Sequence, residues 1–294
     1  MARVAIVGVG AIGGALAAML EVTGQHEITL CTRRPMNQLT VKTPEGVVTV
    51  KATNFTDPSL ARPVDWVLVA AKAYDAKSTA AWFPSLRGQD TPVAVVQNGV
   101  EHRENFSPYV KPDLILPVII DCPVERQADG TVHQRGPARM HVEAGRQGSG
   151  FAQLFAGSNA KLELTEDFIT AAWRKLCMNS AGAVTALTMK PAGVFHDPAL
   201  GEIALGIVAE CVAVGRAEGA KLDDSMSQTV LDAYRAQPRD SVNSMLADRM
   251  AGRPMEIDTR NGVIVRKGAR HGIKTPLNQM AVALLQSIGG NYIP

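Results

Sequence analysis

Lys175 and Asn179 stand four residues apart in a helix-forming stretch, so their side chains share one face, set among Ala171, Ala172, Leu176 and Met178. An ammonium among such neighbours loses solvation and gives up its proton more readily near neutral pH, which is what a general acid must do. Spacing alone equally describes a surface lysine beside Arg174. Ser244 and Asp248 share a second helical face. After the break at Gly252-Arg253-Pro254, Glu256 opens a further helix, which Gly272 ends before Pro276. A glutamate in a first turn often serves only the helix dipole, and Ser244 reads equally as a local cap.

A second group lies near the N-terminus. Gly8-Val9-Gly10-Ala11-Ile12-Gly13-Gly14 matches GxGxxG directly after a strand-like run and at the opening of a helix. The first glycine permits a tight turn, the second lets backbone approach a pyrophosphate, and the third lets helix pack on strand. The helix N-terminus then offers unpaired N–H groups to phosphate. An NAD site places an acid at the end of the second strand, but that position reads Cys31-Thr32-Arg33-Arg34. Guanidinium groups there suit a 2′-phosphate, with Arg33 the stronger candidate, so the cofactor expected is NADPH. Residues that follow apolar strands face the ligand in open parallel sheets. These are Lys72 after Val67–Ala71, and Gln97-Asn98-Gly99 after Val93–Val96. By spacing alone a solvated lysine and an Asn-Gly turn are the simpler readings.

The elements that must position these residues follow from periodicity. Arg3–Val7, His26–Thr32, Trp66–Ala71 and Val93–Gln97 read as strands of a parallel sheet, Val47–Lys51 as a short extra strand, and Ala76–Leu86 as a crossover helix. From Leu114 to Leu164, short apolar stretches broken by Asp129-Gly130, Gly136-Pro137 and Gly148-Ser149-Gly150 read as the remaining strands and turns. After Glu166 helical periodicity takes over through Leu187, then over Ala199–Ala217 and Ser225–Ala236. The expected architecture is an α/β N-terminal Rossmann domain at 1–165 and an all-α C-terminal domain at 166–294, with the glycines at Gly148 and Gly150 as a competing boundary.

Composition narrows the partners. A chain of 294 residues, 46% apolar and 20% charged, holds enough material for two cores. Its net charge of +2 is scattered, without the basic stripe that nucleic acid or anionic lipid attracts. Cys31, Cys122, Cys177 and Cys211 form no CxxC pair, against a zinc or disulfide framework and in favour of a reducing compartment. No basic-then-apolar leader precedes the first strand, and no uninterrupted apolar run approaches the ~20 residues that span a bilayer, so the cytoplasm is expected. No metal site is expected.

In combination and in this order, these residues resemble the ketopantoate reductase (2-dehydropantoate 2-reductase) family over nearly the whole chain. The matching elements are the Gly8–Gly14 loop, Arg33, Lys72-Ala73-Tyr74-Asp75, Gln97-Asn98-Gly99, Trp173-Arg174-Lys175-Leu176 with Asn179, Ser244–Asp248, Glu256-Ile257-Asp258, Asn261-Gly262 and His271-Gly272-Ile273. The resemblance implies a Rossmann domain, a helical domain and catalysis in the cleft between them. It implies Lys175 as the acid that protonates the carbonyl oxygen while NADPH delivers hydride. Asn98 is implied at the nicotinamide and substrate, Asn179 and Ser244 at the substrate's hydroxyl or carboxylate, Glu256 beside Lys175 or the cofactor, and Lys72 near the cofactor. Gly8, Val9, Gly10, Ala11, Ile12, Gly13 and Arg33 complete the cofactor set. One departure stands out: ketopantoate-reducing members usually carry a second asparagine shortly after the one matched by Asn179, and Ser180–Lys190 contains none. The substrate expected is a small 2-oxo acid, ketopantoate first. A different 2-oxo acid or related carbonyl is the alternative, followed by a non-catalytic NADP-binding regulator. A homodimer is one assembly open to such an enzyme.

Overall fold

The computed structural model describes residues 1–288; residues 289–294, the end of the expected C-terminal domain, lie outside them. The strands are β1 (Ala2–Val7), β2 (His26–Cys31), β3 (Leu39–Thr43), β4 (Gly46–Val50), β5 (Ala52–Phe55), β6 (Trp66–Val69), β7 (Val93–Val96), β8 (Ile115–Asp121), β9 (Val124–Arg126), β10 (Val132–Gln134), β11 (Arg139–Glu143) and β12 (Lys161–Thr165). In the same half of the chain lie helices α1 (Ala11–Thr23), α2 (Ala76–Ala80), α3 (Phe83–Leu86), α4 (His102–Phe106) and α5 (Arg146–Leu154). The rest is helical: α6 (Phe168–Thr188), α7 (Pro198–Ala217), α8 (Met226–Arg235), α9 (Ser244–Met250), α10 (Val263–Arg270) and α11 (Pro276–Ile288).

Eight strands form one sheet in the order β12-β11-β8-β7-β6-β1-β2-β5. Along β1 the side chains alternate between its two faces. Val4 and Ile6 enter one core, Ala5 and Val7 the other, and all four are buried. Pairing is parallel from β8 through β5, and the order reverses beside β1, between β2 on one flank and β6 on the other. Such a switch point leaves a crevice at the strands' carboxyl ends. A smaller sheet, β4-β3-β10-β9, takes in the strand expected near Val47 and two of those expected between Leu114 and Leu164, whereas β3 went unread.

Two expectations need correction. The crossover helix Ala76–Leu86 is split into α2 and α3, because Pro84 lacks an N–H and its ring clashes with the carbonyl four residues back. The Gly148-Ser149-Gly150 stretch is not a turn or boundary but part of α5. A Cβ on Gly148 would lie 2.0 Å from the Glu143 carbonyl oxygen, and one on Gly150 would lie 3.2 Å from the Trp66 ring, so both glycines serve close packing. By length and composition alone α7 could cross a membrane, with mean hydropathy 1.6, although it is not an uninterrupted apolar run. A search for uninterrupted runs passes over it because Glu202, Glu210 and Arg216 punctuate the stretch. Its Ile207, Val208, Cys211 and Val214 are core residues of the helical unit.

The units are not two uninterrupted runs. One comprises Met1–Gln97 with His102–Phe168; the other joins Asn98–Glu101, which directly follow β7, to the described residues from Ile169 onward.

Candidate active site

The glycine loop is built as its chemistry requires. Gly8 follows β1 with φ of +95°, a conformation that side chains disfavour, and a Cβ there would lie 2.4 Å from the Ala71 amide nitrogen. A Cβ on Gly13 would lie 2.1 Å from the Gly8 carbonyl oxygen, so the turn closes only with glycine at both ends. Gly10 differs: a Cβ there meets nothing within 4 Å. The space beside Gly10 is therefore open to a ligand, at the N-terminus of α1, where no side chain caps the first amides. Val9, Ala11 and Ile12 complete this turn, and Arg126 donates from β9 to the Val9 carbonyl. A backbone cradle open at its second glycine fits a dinucleotide pyrophosphate.

At the end of β2, Arg33 projects into solvent, its side chain 85% exposed, with Nη2 3.5 Å from an Asp75 oxygen. Asp75 ends the 3₁₀ turn Ala73–Asp75 that follows Lys72, and its amide donates to the Lys72 carbonyl at 2.9 Å. Arg33 and Lys72 thus border one stretch of the sheet's carboxyl edge. The Thr32 hydroxyl is committed elsewhere: it donates to the Arg34 carbonyl and accepts from Asn54 Nδ2, both at 2.8 Å. Asn54, which sequence reasoning missed, also donates to the Leu30 carbonyl and accepts from the Met36 amide, tying down the turn that presents Arg33.

In the helical unit, three of the expected residues meet. Asn98 Nδ2 donates to Glu256 Oε2 at 3.1 Å, and Asn179 Nδ2 donates to Asn98 Oδ1 at 3.4 Å. Lys175 precedes Asn179 by one turn on α6 and is half-buried. Glu256 is 5% exposed and stands just before helical Ile257 and the π-helical segment Asp258–Gly262. Gly99, with φ of +101°, lets the chain turn against Thr259; a Cβ would lie 2.9 Å from its methyl. Ser244 opens α9, exposed, and accepts at 2.6 Å from Arg260 Nη2 rather than joining the Asn179–Asn98–Glu256 line.

Past Asn179, α6 offers no amide. Ala181, Ala183, Val184 and Ala186 are core residues, and the Ser180 hydroxyl donates to the Cys177 carbonyl. Asn243 reaches across to Thr185 Oγ1 at 2.7 Å, but its oxygen accepts from the Leu246 amide as the N-cap of α9. Among the described residues no group of three or more His, Cys, Asp or Glu could hold a metal.

Known proteins match this arrangement along the chain. Residues 4–147 match the profile described as Ketopantoate reductase PanE/ApbA, and residues 167–289 its C-terminal counterpart. The 2-dehydropantoate 2-reductase of Caulobacter vibrioides is 48% identical over 287 residues, 98% of this chain and 99% of that one. The chain belongs to the ketopantoate reductase family. Among solved structures, a PanE/ApbA family ketopantoate reductase from Ralstonia eutropha is similar with TM-score 0.87 and 30% identity, covering 98% of each chain. A dimeric ketopantoate reductase from Staphylococcus aureus shares the fold, with TM-score 0.88 at 20% identity over 98% of this chain and 99% of that one. In this chain an α/β sheet domain precedes a helical region.

Proposed function

We propose that this chain reduces 2-dehydropantoate to pantoate with NADPH. The observation that carries the reading is the hydrogen-bonded line Asn179–Asn98–Glu256 one helical turn from Lys175, in a chain 48% identical to a 2-dehydropantoate 2-reductase. The Gly8–Gly13 loop with Val9, Ala11 and Ile12, flanked by Arg33 and Lys72, would hold NADPH, which when bound would supply the hydride for the carbonyl carbon.

The residues of this chain handle the proton. As the carbonyl becomes an alkoxide, Lys175 donates to its oxygen, removing a charge that would otherwise stand in a poorly solvated place. Glu256 accepts from Asn98 and so fixes its amide with the oxygen toward Asn179. That order leaves Asn179 with an acceptor oxygen and a second N–H for the substrate. Ser244 offers its hydroxyl to the substrate's oxygens. The missing second asparagine favours, as the alternative, reduction of a different 2-oxo acid, since loss of one polar partner changes discrimination by ~10-fold or more.

The dimeric enzyme of the same fold supports assembly as a homodimer. Four free cysteines suit the cytoplasm. Replacement of Lys175 by alanine tests the mechanism: kcat with 2-dehydropantoate is expected to fall ~10²- to 10⁴-fold while NADPH affinity holds. Unchanged turnover would remove Lys175 from its role.

A further inference from the structure

Arg260 stands in the π-helical segment Asp258–Gly262, and its residue is 2% exposed. Its Nη2 donates to Ser244 Oγ at 2.6 Å. Its Nε, on the same edge of the guanidinium, is buried and has no hydrogen-bond partner among the described residues. Nor, among the described residues, does any carboxylate form an ion pair with it. The neighbouring acid Asp258 is taken by Arg266. Tyr234, which feels the charge of Arg260, is not a counter-ion, because burial pushes its pKa up to about 12 and it stays neutral.

A guanidinium taken out of water without a counter-ion, and with an N–H unmet, is costly to the fold. The turn is nonetheless firmly held: Asn261 donates to the Ser180 carbonyl at 3.1 Å and to Asn278 Oδ1 at 2.9 Å. π-Helical turns of this kind recur at functional sites. Among the described residues, the group that Arg260 grips is the hydroxyl of Ser244, an exposed residue. Because Ser244 Oγ accepts from Arg260, its own proton is turned outward, ready to donate.

We propose that Arg260 is the cation that answers the carboxylate of the 2-oxo acid: it orients Ser244 to donate to that carboxylate, and its buried charge selects an anionic substrate over a neutral carbonyl compound. The inference rests on the proposed reduction and deepens it. It supplies a polar partner for the substrate where α6 beyond Asn179 offers none. Arg260 is a positioning residue, acting through Ser244 and through its field, and it is unmarked by any motif quoted above.

The test compares 2-dehydropantoate with its neutral lactone, at saturating NADPH, in the wild type and in Arg260→Met. KM for the acid is expected to rise ~10- to 100-fold, the loss of a charged hydrogen-bonding partner, with kcat little changed. The lactone's kcat/KM should stay within about threefold, so that the acid-to-lactone preference collapses. Arg260→Lys, which keeps the charge without the fork, should restore part of the preference. A parallel fall for acid and lactone, or an unchanged preference, would overturn the proposal. NADPH binding by fluorescence reports whether each variant is folded. If Arg260→Met is not, Arg260→Gln, which stays polar without the charge, decides, since an unaltered preference there refutes the assignment. Titration of pantoate into the NADP⁺-loaded protein reads the same contact without turnover, with ~10- to 100-fold weaker binding expected in Arg260→Met. A wild type that binds pantoate but reduces no 2-oxo acid defeats the proposed function alone. A wild type that binds neither defeats both.

Discussion

We propose that Arg33 carries the choice between the two nicotinamide dinucleotides. Its guanidinium stands in solvent at the end of β2, where an NAD enzyme would present a carboxylate, with a 3.5 Å contact to Asp75. Arg33→Ala is expected to weaken NADPH by about 1.5–3 kcal/mol and to leave NADH unchanged, measured as dissociation constants by fluorescence titration. Equal weakening of both would remove the 2′-phosphate assignment. The position of Arg33 after the second strand was legible because a missing acid at a known place is a fact of the sequence. The line from Asn98 to Glu256 was legible only through family resemblance, since no spacing rule joins residues 158 positions apart. Arg260 was not legible at all: an arginine two residues after Asp258 reads as solvated charge until the fold buries it.

Elements account for why the loop glycines are not equivalent. Gly13 allows α1 to pack against the Gly8 carbonyl, whereas Gly10 faces open space. Gly10→Ala should therefore fold with an unchanged melting temperature yet lose on the order of tenfold in NADPH affinity, about 1.4 kcal/mol, because its methyl enters the phosphate space. Gly13→Ala should lose both cofactor affinity and thermal stability, since its Cβ overlaps backbone. Calorimetry with and without NADPH separates the two, and equal melting temperatures would contradict the packing argument. Elements also mark where sequence patterns mislead. The glycines of α5 look like turn punctuation but are packing contacts with Glu143 and Trp66. The split of α2 from α3 needed only Pro84, which periodicity underweighted. The central strands were read within two residues at each end because nearly continuous apolar runs mark strands covered on both faces.

At the scale of the whole chain, stability and activity draw on different groups. His102 is buried, and desolvation holds its imidazole below the ordinary value of 6.5, although a contact with the Gln97 carbonyl acts the other way. An unfolded chain takes up that proton below pH 6.5 while the folded chain refuses it. The contribution of His102 is thus present above pH 6.5 and lost as pH falls toward the depressed folded value, with a slope of at most about 1.4 kcal/mol per pH unit. Urea unfolding at pH 7.5 and at pH 5.5 should show this loss, and His102→Gln should reduce it; an identical slope in the variant would place the effect elsewhere. The chain's division was only partly legible. Asn98–Glu101 follow a strand of the sheet yet cluster with the helical unit, an exchange that no composition shift announces. Activity is the central claim, and transfer of label tests it most directly. The protein is incubated with 2-dehydropantoate, beside a panel of other 2-oxo acids, and NADPH deuterated at C4 of the nicotinamide, and the product is read by mass spectrometry. Pantoate carrying one deuterium at C2, formed faster than any other 2-hydroxy acid, is the result predicted. No labelled pantoate, beside rapid labelling of a different 2-hydroxy acid, would contradict the assignment.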